Sequence, residues 1–271
     1  MYARKNLLKE KLMQGKMVLG TETWMRDPRI IDLIGFAGFD FVHIENEHVA
    51  RDYSNLESTV RAAHAAGVTP LYRTEQCINN QPPVNEIIKA LDCGVQCIMI
   101  PTVETAEAAR KIVQAARFAP LGERGLATCD LTFPKVWPAP GVPLDVNQAC
   151  DEVNAETLIY CIIETPEGVK NVEEIASVEG IDVLGFGHQD YAIAARLSSD
   201  HSLAGDEARE RVWEAAKRHN KLTWDYIDSA EELNRVKKMG TRIVDFGVDM
   251  NLYLGKLYEN MSSFKKFMRN E

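Results

Sequence analysis

The sequence predicts a closed (β/α)8 barrel, and four observations carry that prediction. Apolar or β-prone runs recur near 17–23, 40–46, 68–73, 97–102, 157–164, 182–187, 221–227 and 242–247. Helical patterns separate them, as a parallel sheet with crossover helices requires. No G-x-G-x-x-G follows the first run, which argues against an open dinucleotide-binding sheet. A chain of 271 residues has the ordinary length for such a barrel.

The first run ends near Glu22 and Trp24. The second leads into Glu45-Asn46-Glu47-His48, and the helical pattern Leu56 to Ala66 follows it and stops at Gly67. The third ends in Tyr72-Arg73-Thr74-Glu75, and the pattern from Val84 to Leu91 brings the chain to Gly94. The fourth closes on Ile100-Pro101-Thr102 and gives way to Ala106 to Ala116. The fifth ends at Glu164, and the pattern Pro166 to Val178 then reaches Gly180. The sixth ends near His188 and Asp190, ahead of a helix over Asp206 to His219. The seventh ends near Trp224 and Asp225, with Ala230 to Met239 and Gly240 behind it. The eighth ends near Asp245 and Asp249. Glycine just past a helix is the usual left-handed stop, so the helix–glycine–strand rhythm supports each boundary.

One stretch breaks the rhythm. From Phe118 to about Glu156 the chain is rich in proline and glycine, with a short polar helical pattern only near its end. Long loops in compact domains are more often functional than idle, so this one is expected on the active-site face. No low-complexity linker divides the chain, which reads as one barrel domain over 1–271. The amphipathic run from Leu252 to Tyr258 marks a C-terminal helix at about 251–270, to pack on its own barrel or a neighbour's.

Composition narrows the function. Hydrophobic residues make up 45% and charged residues 26%, enough for a large core. The net charge of −9 disfavours nucleic acid and anionic membrane surfaces as partners. It leaves anionic small molecules open, because a site can carry its own arginine and metal. No run of 18 apolar residues exists, and the first ten residues hold no apolar signal region. The six cysteines include no C-x-x-C pair and read as reduced thiols of a cytoplasmic protein.

Barrel enzymes place their chemistry at the C-terminal ends of the strands. Glu164 and Asp190 end consecutive strands, so one barrel brings both carboxylates to the same rim. Two hard anionic oxygens suit Mg²⁺ or Mn²⁺. Glu164 follows an apolar run, where an unpaired carboxylate costs several kcal/mol; a neighbouring Arg or Lys would satisfy it as a metal would. Arg73 can grip a carboxylate or an enolate oxygen, or serve a structural ion pair. His48 can act as a general base near neutral pH, or be a satisfied structural histidine.

Longer motifs sharpen this reading. They are Gly35-Phe36-Ala37-Gly38-Phe39-Asp40-Phe41-Val42-His43-Ile44-Glu45-Asn46-Glu47-His48, Lys89 to Pro101 around Leu91-Asp92-Cys93-Gly94, Arg117 to Gly125, Ile163-Glu164-Thr165 and Gly187-His188-Gln189-Asp190-Tyr191. In that order, over nearly the whole chain, they resemble the HpcH/HpaI aldolase/citrate lyase family of metal-dependent (class II) pyruvate aldolases. The resemblance implies Mg²⁺, Mn²⁺ or Co²⁺ on Glu164 and Asp190. It implies a 2-oxo acid chelating that ion, with Arg73 on its keto oxygen, and cleavage to pyruvate and an aldehyde. It gives His48 the proton of the C4 hydroxyl, with Asp92 and Glu45 as its acidic companions, Asp92 across a subunit boundary. It also implies a homotrimer or homohexamer that exchanges the C-terminal helix. Substrate contacts would come from Arg73, Gly187, His188 and Gln189.

The chain departs from the family pattern at Glu45, where Asp is common, and at His188-Gln189 and Tyr191, where Pro-Ala and Leu are usual. His188 is read as lining the pocket, touching the metal or packing behind it. Three readings follow. The first is an aldolase of 4-hydroxy-2-oxo acids. The second is oxaloacetate decarboxylation or another metal–enolate reaction. The third is a non-catalytic 2-oxo acid binder.

Overall fold

The computed structural model describes residues 2–127, 145–197 and 204–269. Eight parallel strands form a closed barrel in sequence order. They are β1 (Val18–Thr23), β2 (Phe41–Glu45), β3 (Thr69–Arg73), β4 (Cys97–Ile100), β5 (Leu158–Ile163), β6 (Val183–Phe186), β7 (Leu222–Ile227) and β8 (Ile243–Val248). Pairing of β8 with β1, through an irregularity between Gly20 and Glu22, closes the ring.

The strands read as continuous apolar runs because both faces are covered. Side chains alternate, so one set fills the barrel and the other packs on helices. Phe41, Leu71, Cys97, Met99, Tyr160, Ile162 and Trp224 belong to the inner cluster, with Leu8 and Leu12. Those two leucines come from the helix Leu7–Met13, whose start is capped by the Asn6 side chain accepting from the Lys9 amide. The Leu8 amide donates to Thr69 Oγ1 at the start of β3, so this helix plugs the N-terminal end. Val42, Ile44, Ile98, Ile100, Ile159 and Cys161 pack outward against helices. Gly185 makes room inside: a Cβ there would lie 2.8 Å from the Trp224 ring directly opposite.

Two helical patterns break where the sequence suggested continuity. Pro166–Lys170 and Val172–Ala176 part at Asn171, whose Nδ2 donates to the Glu104 carbonyl. The next-to-last helix begins as a 3-10 turn over Ala230–Glu232 before Leu233–Lys238.

The long stretch after residue 117 is a correction. Its described ends lie on the N-terminal face, opposite the expected one. Arg117 donates to the carbonyls of Asn154 and Thr157, just before β5, and to Asp182, just before β6. Phe118 packs with Ala3, Ala149 and Val153. The reason is directional. The stretch follows the helix Ala106–Ala116, and a crossover helix returns the chain to the start of the strands. Residues 128–144 lie outside the described ones.

The chain ends in the helix Asp249–Arg269. Among the described residues, no helix is long and apolar enough to cross a membrane. Cys77, Cys97, Cys150 and Cys161 are free thiols.

Candidate active site

The C-terminal rim gathers the expected residues around Arg73. The guanidinium, on the last residue of β3, donates through Nε to Glu45 and through Nη2 to Glu22 Oε1 at 3.1 Å, and Nε lies 3.3 Å from Glu47 Oε2. Burial works against the Arg73 charge, but Glu45, Glu22 and Glu47 outweigh it and hold the group above its ordinary range. Burial likewise opposes the Glu45 anion, yet Arg73 and His43 keep this carboxyl below the usual value. Glu45 also holds a second group, because its Oε1 accepts from the His48 amide at 2.6 Å. One carboxylate thus ties the arginine to the backbone that carries the candidate base. The His48 ring is exposed, with Nε2 3.7 Å from Glu47 Oε2 and the Trp24 ring tilted beside it.

Glu164 stands apart from this network. It follows β5, is 5% exposed, and accepts from Thr102 Oγ1 at 2.7 Å. Thr102 occupies the left-handed region, at φ 57. For a β-branched residue that costs about 1–3 kcal/mol, and it aims the hydroxyl at the carboxylate. Burial first, then the charges of Glu47 and Asp190, push Glu164 up to about 8. Among the described residues no lysine or arginine pairs with it. Asp190 sits in the first turn of the helix His188–Leu197, where β6 ends.

Gly187 shapes this corner. A Cβ there would meet Glu164 Oε2 at 2.2 Å and Glu164 Cβ at 2.7 Å. Gly187→Ala is therefore expected to displace the carboxylate and weaken Mn²⁺ binding about 10- to 100-fold, read by calorimetry, while circular dichroism stays that of the parent. The His188 ring packs edge-on to Phe186 at 6.0 Å and against the Gly205 backbone. Those contacts favour packing over metal contact. Gln189 is exposed.

A buried carboxylate that shares its surroundings with two others, and has no cationic partner, fits a hard divalent cation. Glu22, His43 and Glu45 also bring donor atoms within 4.8 Å of one another. That set is already engaged by the Arg73 guanidinium, so Glu164 with Asp190 is the better pair for an ion.

Asp92 is not brought to the site within one chain. It ends the helix Val84–Asp92, just before β4 begins, and accepts from Arg124 at 2.8 Å. Sequence reasoning gave His43 no role and noted Thr102 and Asp245 only as residues at strand ends. His43 lies two residues before Glu45 on one strand, and that spacing alone puts both on the same face.

A family model of HpcH/HpaI aldolase/citrate lyase matches residues 24–255. A hydroxypyruvate/pyruvate aldolase of Deinococcus radiodurans is 31% identical, over 98% of this chain and 92% of the relative. A 4-hydroxy-2-oxovalerate aldolase of Novosphingobium aromaticivorans is 34% identical, over 90% and 88%. Among solved structures, an HpcH/HpaI aldolase of Desulfitobacterium hafniense superposes with a TM-score of 0.83 at 26% identity, covering 96% of both chains. The citrate synthase SbnG gives 0.82 at 27%, covering 97% of this chain and 98% of the other.

Proposed function

The chain belongs to the HpcH/HpaI aldolase/citrate lyase family, a group of metal-dependent aldolases on pyruvate-type substrates, and we propose that it cleaves and forms 4-hydroxy-2-oxo acids, giving pyruvate and an aldehyde. The observation that carries this is Glu164, buried without a cationic partner beside Asp190 and under the glycine that leaves it space.

In this reading Glu164 and Asp190 hold Mg²⁺, Mn²⁺ or Co²⁺. The bound cation supplies Lewis acidity, stabilising negative charge on the keto oxygen of the 2-oxo acid. Arg73, its fork held by Glu22 and Glu45, would donate to the same oxygen. Exposed His48 takes the proton of the C4 hydroxyl as the C3–C4 bond breaks, with Glu47 Oε2 3.7 Å from its Nε2. Gly187, His188 and Gln189 form the outer wall of the substrate pocket. Asp92 can reach His48 only from a neighbouring copy.

The long terminal helix supports a homotrimer or homohexamer. Leu252, Tyr253, Leu254, Leu257, Tyr258, Met261, Phe264 and Phe267 are all exposed along it. So continuous an apolar surface marks a protein interface. Light scattering should report three or six subunits for the full chain and a smaller species once the helix is removed.

The decisive assay supplies Mn²⁺ and a panel of 4-hydroxy-2-oxo acids and follows pyruvate release. His48→Ala should lose about 10²- to 10⁴-fold in that rate. It should leave oxaloacetate decarboxylation nearly intact, because that reaction has no hydroxyl to deprotonate. Turnover of oxaloacetate alone would replace the aldolase reading with a decarboxylase. Tight pyruvate binding without exchange of its methyl protons would make the protein a binder.

A further inference from the structure

Beneath Arg73 the barrel buries a second polar cluster that the aldol chemistry leaves unused. His43 on β2 is 1% exposed, and its Nδ1 lies 2.8 Å from Asp245 Oδ2 on β8. The same oxygen accepts from Trp224 Nε1 at 2.7 Å, and the Trp224 ring stands edge-on to the imidazole. The other ring nitrogen, Nε2, has no hydrogen-bond partner among the described residues and faces Glu45 Oε2 at 3.9 Å.

Carboxylates only accept, so Nδ1 must carry a proton to bond Asp245. A neutral ring would then aim the Nε2 lone pair at the Glu45 anion. An imidazolium aims an N–H there instead. Burial opposes that charge, but Asp245 and Glu22 outweigh burial and the Arg73 guanidinium, and the net shift is upward. The ionisable groups around the ring are Glu22 from β1, Glu45 on its own strand, Arg73 from β3 and Asp245 from β8. Tyr160 from β5 feels Asp245 from below.

We propose that His43, clasped by Asp245, is a positioning residue whose imidazolium fixes the Glu45 carboxylate from beneath. Glu45 then offers one oxygen to Arg73 and the other to the His48 amide. Through that single carboxylate, His43 sets the direction of the anion-binding guanidinium and the place of the base. The inference rests on reading Arg73 and His48 in those roles. A histidine with a raised pKa contributes its charge below the ordinary value of about 6.5 and loses it as pH rises through the folded value. The alkaline limb of substrate binding should therefore report His43.

The test uses the full-length protein loaded with Mn²⁺, with oxalate as the probe. Nitrogen NMR of the imidazole, recorded on the diamagnetic Mg²⁺-loaded protein, should show both His43 nitrogens protonated at pH 7.5 in the parent, and one deprotonated in Asp245→Asn. His43→Gln and Asp245→Asn should weaken oxalate binding about 10- to 100-fold, with Mn²⁺ affinity within twofold of the parent. In a Glu45→Gln background, His43→Gln should add nothing, because both changes cut the same link. A structural role alone would lower Mn²⁺ and oxalate affinity together. A neutral His43 in the parent, or unchanged oxalate affinity in His43→Gln, or additive effects in the double variant would overturn the proposal. The NMR result needs no variant, so a failure to fold does not shield the idea. If the parent turns over no 2-oxo acid while these results hold, the proposed reaction falls and the positioning role stands.

Discussion

Metal-free Glu164→Gln protein is expected to melt roughly 8–15 °C above the metal-free parent at pH 8, and the two should coincide near pH 4. The sign follows from linkage. Burial and the neighbouring Glu47 and Asp190 charges raise the folded Glu164 to about 8, against 4.5 for the ordinary group. Below about pH 4.5 both states hold the proton, and the residue contributes nothing. As pH rises the unfolded chain releases it first, so the folded state loses ground until about pH 8, by on the order of 4–5 kcal/mol. Glutamine still accepts from Thr102 but carries no charge, so this penalty disappears. Excess Mn²⁺ should reverse the order, raising the melting temperature of the parent and leaving Glu164→Gln unmoved. Pyruvate release by the variant should fall about 10³-fold or more, because the proposed metal site would lose one of its two protein ligands. Equal melting curves at pH 8, or a variant that still responds to Mn²⁺, would remove Glu164 from the metal site.

Arg73→Ala should act in the opposite direction on stability and the same direction on activity. Removing the guanidinium leaves Glu22, Glu45 and Glu47 buried together without their common cation. Breaking a buried charge network by deleting one partner costs about 3–5 kcal/mol, roughly 6–15 °C in melting temperature for a chain of this size. Part of the loss should return as the pH falls, because burial already pushes the Glu22 carboxyl up. The rate of pyruvate release should drop about 10²- to 10³-fold, as when one donor to a developing oxyanion is deleted. Arg73→Lys should rescue little, since one ammonium cannot span three carboxylates that the planar fork reaches at once. A fully active Arg73→Lys enzyme would reduce the residue to a simple counter-charge.

The reading of the fold from sequence succeeded where the information is local. Every strand lies within two residues of its expected bounds, because a barrel strand covered on both faces must be an apolar run. Gly67, Gly94 and Gly240 follow their helices with positive φ, a property a single residue type announces, whereas the helix before Gly180 already stops at Ala176. Glu164, Asp190, Arg73, Glu45 and His48 were legible as charges ending apolar strands. The helix over Val146–Glu156 was also foreseen as a short polar pattern, but not the face on which its stretch is anchored. That required following chain direction through the preceding helix.

By itself, the sequence determined the barrel, the order of its strands and the rim on which the chemistry-bearing side chains stand. Run length, alternation and glycine placement encode these within a few neighbouring residues. Only the tertiary structure decided who pairs with whom. It gave Arg73 three carboxylates, gave Glu164 no lysine or arginine partner among the described residues, turned Asp92 toward Arg124, and set His43 between Asp245 and Glu45. Those partners lie as far as 202 residues apart in the chain. Their meeting depends on the stagger of eight strands and on β8 closing against β1, quantities that no local pattern of residues carries.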